Sequence, residues 1–243
     1  DRVITPAAVR NALRVLQAIG GSTNGLIHMT AMAGRLGIRV DLNTFDKLGQ
    51  DIPVLVDLKP SGQYYMEDLH RAGGLAPILR ELRDYLELDA LTVTGRTLGE
   101  EIDALPSAYP QDVVKTVDVP LYPVGGMVVL RGNLAPDGAV IKQSAANQDL
   151  LVHEGRALVF SSLEDMAVRM DSSDLEVTAN DVLVLQGAGP IGAPGMPEAG
   201  YLPIPKKLAE QGVKDMVRLS DARMSGTAFG TVVLHIAPES AVG

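Results

Sequence analysis

The stretch Val182-Leu183-Val184-Leu185, with Gly187-Ala188-Gly189-Pro190 close behind it, shows the pattern that decides the fold. It is a short aliphatic run, rich in β-branched residues, that stops at a turn signal, which is typical of a buried strand. Such spacing predicts a compact β-rich domain in the second half of the chain, with Asp137-Gly138 as a hairpin turn. Similar runs occur at Val113-Val114, Met127 to Leu130, Ala139 to Ile141, Ala157 to Phe160 and Thr231 to Leu234.

The first half of the chain has a different sequence pattern, in which helix signals dominate. Thr5 and Pro6 open a predicted helix over residues 6 to 18, and Ser22-Thr23-Asn24 provides three good capping residues for a second helix that runs to about Leu36. Because apolar residues lie almost all round this second helix, we expect it to be buried. Further helices are predicted over 41–48, from 66 to 86 with a break at Gly73-Gly74, and up to 102, and strands over 53–58 and 91–95.

We therefore predict an α/β protein with a domain boundary near residue 111. Residues 1–110 should form helix and strand layers, and residues 111–243 a β-barrel or sandwich with a few helices. The chain starts at Asp1 and its last stretch lacks a cap or a polar tail, so we expect a piece of a larger protein that is truncated at its C-terminus.

Composition excludes several classes of function. The net charge is -9 and no Lys/Arg cluster occurs, which argues against a nucleic-acid or membrane-surface partner. No long apolar run occurs, and the first residues, 1–4, resemble neither a signal peptide nor a transit peptide, so a cytoplasmic protein is expected. The chain has no cysteine, and therefore cannot by itself build a disulfide, a thiolate zinc site or an iron-sulfur centre. The four histidines, at 28, 70, 153 and 235, show no metal-ligand spacing.

Two polar segments are the candidates for chemistry. The segment from Ser220 to Gly230 places hydroxyls, a carboxylate and a guanidinium among small residues, and the Gly/Pro-rich segment from Gly187 ends on the carboxylate of Glu198. Taken singly, a carboxylate at the end of a Gly/Pro-rich loop is usually just solvated, and Ser-Gly-Thr is common in turns. The start of the second helix, at Ser22-Thr23-Asn24, offers free backbone N–H groups to an anion, although it also fits a simple capped helix.

Five ordered motifs resemble the dihydroxy-acid and sugar-acid dehydratase family, which includes dihydroxy-acid, phosphogluconate and pentonate dehydratases. They cover essentially the whole chain and occur at Gly20 to Asn24 with His28, at Leu58 to Gly62, at Gly132 to Gly138, at Pro194 to Glu198 and at Ser220 to Gly226. The resemblance implies dehydration of a 2,3-dihydroxy acid to a 2-keto-3-deoxy acid with an iron-sulfur cluster and Mg²⁺. It also implies that residues 1–110 are the tail of a large α/β domain and that residues 111–243 are a swivelling-type β-barrel, with the active site between the two.

The same resemblance assigns roles by position. Glu198 would ligate Mg²⁺, Ser225 would be the base that removes the C2 proton, and Thr227 would hydrogen-bond near the reacting hydroxyls. Pocket residues would be Ser22, Thr23, Asn24 and Arg223. In the family the cluster cysteines and the other Mg²⁺ ligands lie in a part of the chain that precedes this one, so the isolated chain should be inactive. A homo-oligomer, dimer or tetramer, is implied for the intact protein.

The details of the segment at 222–227 favour a sugar acid as substrate. The branched-chain enzymes typically have Thr-Asp-Gly-Arg-Phe-Ser-Gly-Gly-Thr, whereas this chain has Ala222, Met224 and Thr227 directly after Gly226. An aldonate such as arabinonate, xylonate or galactonate is therefore expected. The alternatives are the dihydroxy-acid dehydratase of branched-chain amino-acid synthesis and a noncatalytic binding or assembly module.

Overall fold

The computed structural model describes residues 2–195, 202–224 and 229–242. It divides into two compact units, Asp1–Met127 and Val128–Gly243, here called unit 1 and unit 2. The mixed α/β class predicted from the sequence is confirmed, whereas the barrel and the boundary near residue 111 stay predictions. In the described ranges, no helix is long and apolar enough to cross a bilayer.

Unit 1 is built from helices whose ends follow the capping signals of the sequence. The Thr5 hydroxyl accepts a hydrogen bond from the Ala8 N–H, and the Asp41 carboxylate accepts one from the Thr44 N–H. A core of aliphatic residues around Leu55, Ile78 and Leu82 holds the helices together. The helices are α1 (Pro6–Ala18), α2 (Thr23–Gly34), α3 (Leu42–Gln50), α4 (Met66–Arg71), α5 (Leu75–Glu81) and α6 (Leu98–Asp103), with a 3₁₀ turn at Arg83–Tyr85.

Several local predictions for unit 1 were wrong. Helix α2 is not buried: Thr23, Leu26 and Ala33 are inside, while Met32 is 52% exposed. Residues 53–58 are buried as predicted, but they pair through isolated bridges to three separate segments rather than through one ladder. Residues 91–95 form a turn closed by a single bridge, and Val114 contributes only one bridge to Val56.

Unit 2 is a six-stranded mixed sheet in the order β1-β2-β6-β5-β4-β3. Strands β3, β4, β5 and β6 are parallel to one another, β2 pairs antiparallel with β6, and β1 pairs antiparallel with β2. The strands are β1 (Val128–Gly132), β2 (Ala135–Ile141), β3 (Ala157–Phe160), β4 (Val182–Leu185), β5 (Arg218–Ser220) and β6 (Val232–Ala237), with helices α7 (Leu163–Arg169) and α8 (Lys206–Glu210). Two 3₁₀ turns, Gln143–Ala145 and Gln148–Leu150, follow β2.

The predicted hairpin turn is displaced by four residues. The turn between β1 and β2 is formed by Asn133 and Leu134, whereas Asp137 and Gly138 lie inside β2. Gly138 has φ 112° at an irregularity in the pairing with β6, so the glycine serves a bulge rather than a turn.

Candidate active site

The two polar segments singled out in the sequence leave neighbouring strands at the same edge of the sheet. Strands β4 and β5 are parallel, with Leu185 opposite Ser220, so the loop after Leu185 and the loop after Ser220 start side by side. The carboxyl ends of parallel strands are where ligands of α/β sheets usually bind. The sheet topology therefore supports a site at this edge.

The buried carboxylate of Asp221 ties this edge together. Its Oδ1 accepts a hydrogen bond from the Ala188 N–H at 3.0 Å, and its Oδ2 accepts bonds from the Ser240 N–H at 3.0 Å and hydroxyl at 2.6 Å. The Ser240 Oγ in turn accepts the Gly187 N–H at 2.7 Å. Asp221 is 4% exposed, and it holds the β4 loop, the β5 loop and the end of β6 in one network.

Glu239 fixes the Gly/Pro-rich loop from the other side. Its carboxylate accepts hydrogen bonds from the Ile191 and Gly192 N–H groups, each at 2.9 Å. A Cβ on Gly189 would lie 2.6 Å from Glu239 Oε2, and a Cβ on Gly192 would lie 2.8 Å from the backbone of Gly187. These two glycines are needed for the close packing of the loop, which leads toward Glu198.

Arg218 anchors the far ends of both segments. Its side chain is 3% exposed and pairs with Asp215 at 2.8 Å. It also donates to the Leu202 carbonyl at 3.1 Å and to the Phe229 carbonyl at 3.0 Å. Leu202 follows the segment that contains Glu198, and Phe229 follows the segment that contains Ser225, so one guanidinium holds the return points of both.

Arg223 and His235 lie beside each other at the start of the β5 loop. The His235 N–H donates to the Ala222 carbonyl at 3.2 Å, and His235 has φ 55°, a conformation that is uncommon for a residue with a side chain. Burial and the positive charge of Arg223 lower the pKa of His235 to about 4, so its imidazole is neutral near pH 7. Arg223 Nε is buried and has no hydrogen-bond partner among the described residues, which leaves this donor available to a ligand.

The other candidate residues have the following positions. Ser22 caps α2 in unit 1 by accepting the Asn24 N–H at 3.2 Å, with Thr23 buried and Asn24 partly buried next to it. His28 is exposed on the same helix. Glu198, Ser225 and Thr227 lie outside the described residues. The structure thus places Arg223 two residues after Asp221, whose carboxylate accepts the Ala188 N–H, within unit 2, while Ser22, Thr23 and Asn24 are grouped in unit 1.

Ser220 and Asp221 were part of the candidate polar segment, and the structure gives both a supporting position. The Ser220 hydroxyl donates to the Leu185 carbonyl at 2.9 Å and accepts the Ala222 N–H at 3.0 Å. Sequence reasoning missed Arg218, His235 and Glu239, which lie outside the motifs. Their importance comes from partners far along the chain, and a single sequence contains no signal for such pairs.

A metal or a cluster would need ligands beyond those described here. No group of three or more His, Cys, Asp or Glu side chains within residues 2–195, 202–224 and 229–242 could hold a metal ion. Since the chain contains no cysteine, it offers no thiolate to an iron-sulfur cluster. This chain alone therefore does not fit a cluster, and Glu198 is its candidate contribution to Mg²⁺.

Comparison with known proteins gives a consistent picture. Residues 1–101 match the family model "Dihydroxy-acid/6-phosphogluconate dehydratase N-terminal", and residues 112–243 match "Dihydroxy-acid/6-phosphogluconate dehydratase C-terminal". The chain is 50% identical over its full length to L-arabonate dehydratase of Azospirillum brasilense. It is 47% identical over 99% of its length to 6-deoxy-6-sulfo-D-gluconate dehydratase of Pseudomonas putida, and 40% identical over its full length to dihydroxy-acid dehydratase of Methanothrix thermoacetophila.

The matches also show how much of these proteins the chain represents. It spans 42% of the length of the first two relatives and 44% of the third.

Proposed function

We propose the following function for this chain, which belongs to the dihydroxy-acid/6-phosphogluconate dehydratase family. It is part of a hydro-lyase that dehydrates a sugar acid, an aldonate, to the corresponding 2-keto-3-deoxy acid. Ser225 is the base at C2, Glu198 is a Mg²⁺ ligand, and Thr227 hydrogen-bonds near the reacting hydroxyls. The iron-sulfur cluster is held by residues outside this chain. The intact protein is a cytoplasmic homo-oligomer, dimer or tetramer.

The choice of a sugar acid is supported by the relatives. The relatives named for L-arabonate and for 6-deoxy-6-sulfo-D-gluconate are 50% and 47% identical to the chain, and the one named for dihydroxy acids is 40% identical. The Ala222, Met224 and Thr227 pattern points the same way. We therefore rank an aldonate above the branched-chain dihydroxy acid.

The observation that carries the proposal is the double anchoring of the two catalytic segments. Asp221 bonds the start of the Glu198 loop to the start of the Ser225 loop, and Arg218 bonds the carbonyls at which both loops return. Both segments thus begin side by side at the carboxyl ends of β4 and β5, and both return to the guanidinium of Arg218, the first residue of β5. This arrangement supports a shared site for a carboxylate at 198 and a hydroxyl at 225.

In this reaction, residues of this chain would move a proton and orient the substrate. The Ser225 alkoxide takes the proton from C2 as the C3–O bond breaks, and the C3 hydroxyl leaves as hydroxide. The serine proton then passes to that hydroxide, so one water is released and the alkoxide is regenerated. The enol that remains tautomerises to the 2-keto-3-deoxy acid. A serine is a weak base at its ordinary pKa, so it needs neighbouring positive charge to act in this way. The chemistry that Mg²⁺ and a cluster iron supply when bound is Lewis-acid polarisation of the substrate oxygens. Arg223, with its buried Nε–H, would orient a substrate oxygen by hydrogen bonding.

The test uses the full-length protein that contains this chain. Turnover of L-arabinonate, D-xylonate, D-galactonate and 2,3-dihydroxyisovalerate should be compared at equal concentration, followed as formation of the 2-keto acid. We expect an aldonate to be preferred and Ser225→Ala to abolish its turnover, with Ser173→Ala on the surface of unit 2 as the matched control. A preference for dihydroxyisovalerate would overturn the substrate, and full activity of Ser225→Ala would overturn the base.

A further inference from the structure

Helix α2 has an apolar outer side that no other described residue encloses. Leu26 and Ala33 are buried on its inner side, whereas Ala31 is exposed and Met32 is 52% exposed on the other. Leu36, in the turn that ends the helix, is 44% exposed. A helix that is apolar all round is normally enclosed by protein. The surface formed by Ala31, Met32 and Leu36, here called the α2 outer face, is therefore suited to a protein contact.

Helix α3 in the same unit shows the pattern of a helix that faces water. Phe45 and Gly49 are buried on its inner side, and Asn43, Lys47 and Gln50 are exposed on its outer side. All three exposed residues are polar, as expected for the solvent side of an amphipathic helix. The composition of the α2 outer face is thus that of an interior surface and not of a second solvent-facing helix.

A second apolar surface of unit 1 lies between α1 and α5. Ala12 and Val15 of α1 face Leu75 and Leu79 of α5 across a groove of about 480 Å³, and Leu75 is 53% exposed. Contiguous apolar surfaces of this kind mark places where protein binds protein. Unit 1 therefore leaves apolar surface open at two places, as expected when part of the domain lies outside the described residues.

The relatives show that such additional polypeptide exists in the family. The chain spans 42% of the length of the relatives named for L-arabonate and 6-deoxy-6-sulfo-D-gluconate, so more than half of each lies beyond the match. The α2 outer face and every residue that lines the groove fall within residues 1–101, which match the N-terminal model. A segment of the same polypeptide is present at a high effective concentration, which favours it over a separate partner.

Charge argues against a second copy of α2 as the cover. His28 and Arg35 are exposed, and their helical spacing places them beside Met32. The sequence from Gly20 to Val40 contains no Asp or Glu. A two-fold dimer pairs a patch with itself, so it would bring a second arginine toward the first without a carboxylate between them. A segment with a different sequence can supply that carboxylate.

We propose that the α2 outer face binds a segment of the same full-length dehydratase that lies outside residues 1–243. This segment is apolar where it contacts Met32 and has a carboxylate for Arg35. The inference takes from the proposed function only that the chain is part of a longer dehydratase. Full activity of Ser225→Ala would overturn the proposed base and leave this inference intact, and an uncovered Met32 would do the reverse.

Oxidative footprinting of the wild-type full-length protein tests whether the face is covered. A brief pulse of hydroxyl radicals converts accessible methionines to the sulfoxide, and mass spectrometry gives each rate in the native and the unfolded protein. We expect Met32 to be oxidised about tenfold more slowly in the native protein, like the fully buried Met216, while Met66, 70% exposed, is the accessible reference. A native rate at Met32 within about twofold of its unfolded rate would overturn the proposal.

A photo-crosslinking amino acid identifies what covers the face. It is placed at Met32 in the full-length protein, with Lys47 on the polar side of α3 as the matched control position. We expect links from position 32 to peptides outside residues 1–243, within one polypeptide that keeps the monomer mass on a denaturing gel, and few links from position 47. Cross-linked dimers, links to residues 128–243 or reaction with water alone would each overturn the proposal.

Substitution gives a third readout with a matched control. Met32→Lys places a charge at the proposed contact, and Asn43→Lys places the same charge on the polar side of α3. We expect the thermal midpoint of the full-length protein to fall by several degrees in Met32→Lys and to stay unchanged in Asn43→Lys. If α2 faced water, both substitutions would be close to neutral, so equal midpoints would contradict the proposal. Footprinting of the wild-type protein decides the question even if Met32→Lys fails to fold.

Discussion

Replacing Arg218 with methionine should destabilise the part of unit 2 that holds the two segments of the candidate active site. The guanidinium and the Asp215 carboxylate are each 3% exposed, so removing the cation leaves a buried carboxylate without its counter-ion. Breaking a buried pair in this way costs about 3–5 kcal/mol. The Leu202 and Phe229 carbonyls lose their donor at the same time, which releases the return points of both catalytic segments.

Native-state hydrogen exchange, read by mass spectrometry, suits this prediction because it reports each part of the chain separately. In Arg218→Met we expect the opening free energy of amides in β5 and at the start of β6 to fall by about 3–5 kcal/mol. Amides of α1 in unit 1 should be unchanged and act as an internal reference. Arg218→Lys keeps the charge but not the planar fork, so it should give a smaller loss.

The matched control is Arg96→Met, which removes an exposed arginine that lies 3.9 Å from Glu101. A surface pair of this kind contributes at most about 1 kcal/mol. If Arg218→Met changed exchange no more than Arg96→Met, the anchoring role of Arg218 would be refuted. An equal loss of protection in both units would also contradict it, because the effect would then be global.

Three further predictions follow from particular contacts. Gly189→Ala should destabilise the loop after β4 and lower turnover in the full-length protein, because the new Cβ would lie 2.6 Å from Glu239 Oε2. Gly195→Ala is the comparison: Gly195 has φ 85° and open space around it, so this variant adds backbone strain without a steric contact. Lys142→Met should raise the free energy of unfolding by about 1–3 kcal/mol below pH 8, and wild-type stability should rise between pH 8 and 10.5, because burial lowers the pKa of Lys142 to about 8. The hydrogen bond from Arg10, with that from Arg14, lowers the pKa of Glu87 to about 2. The ionised Glu87 should therefore stabilise the fold by about 1 kcal/mol after screening, fully above pH 4.5 and progressively less as the pH falls toward 2. Denaturant titrations of the wild type and of Glu87→Gln measure this contribution, and an unchanged pH profile in the variant would contradict it.

Local signals predicted the helices of unit 1 well because each signal acts within a few residues. Thr5 and Ser22 cap the helices that the sequence assigned to them, and the break at Gly73-Gly74 falls between α4 and α5. The burial of α2 was predicted from the apolar residues that lie almost all round it and was wrong. A helix with apolar residues all round can leave Met32 exposed when no other described residue covers that face.

Strand β5 shows why other parts of the fold were not predicted from the sequence. Arg218-Leu219-Ser220 has no hydrophobic run, and an arginine in a central strand is unusual. It is buried because Asp215 neutralises its charge and because carbonyls at 202 and 229 accept its remaining donors. Those partners lie up to sixteen residues away, so the strand exists only once the loops around it are in place.

The same reasoning explains why the motifs identified the family while the residues that hold the site lie outside them. Asp221 was within a motif, but its partners Ala188 and Ser240 are brought to it by the parallel arrangement of β4, β5 and β6. His235 is a single histidine in an apolar strand, where the ordinary expectation is a core residue. Its imidazole is neutral near pH 7 because burial and the neighbouring Arg223 lower its pKa, and neither cause can be read from the sequence. Chemistry that depends on charge and burial across strands is a property of the folded sheet, and Lys142 belongs to the same class: its sequence neighbours are ordinary, and only the partial burial that lowers its pKa to about 8 distinguishes it from a surface lysine.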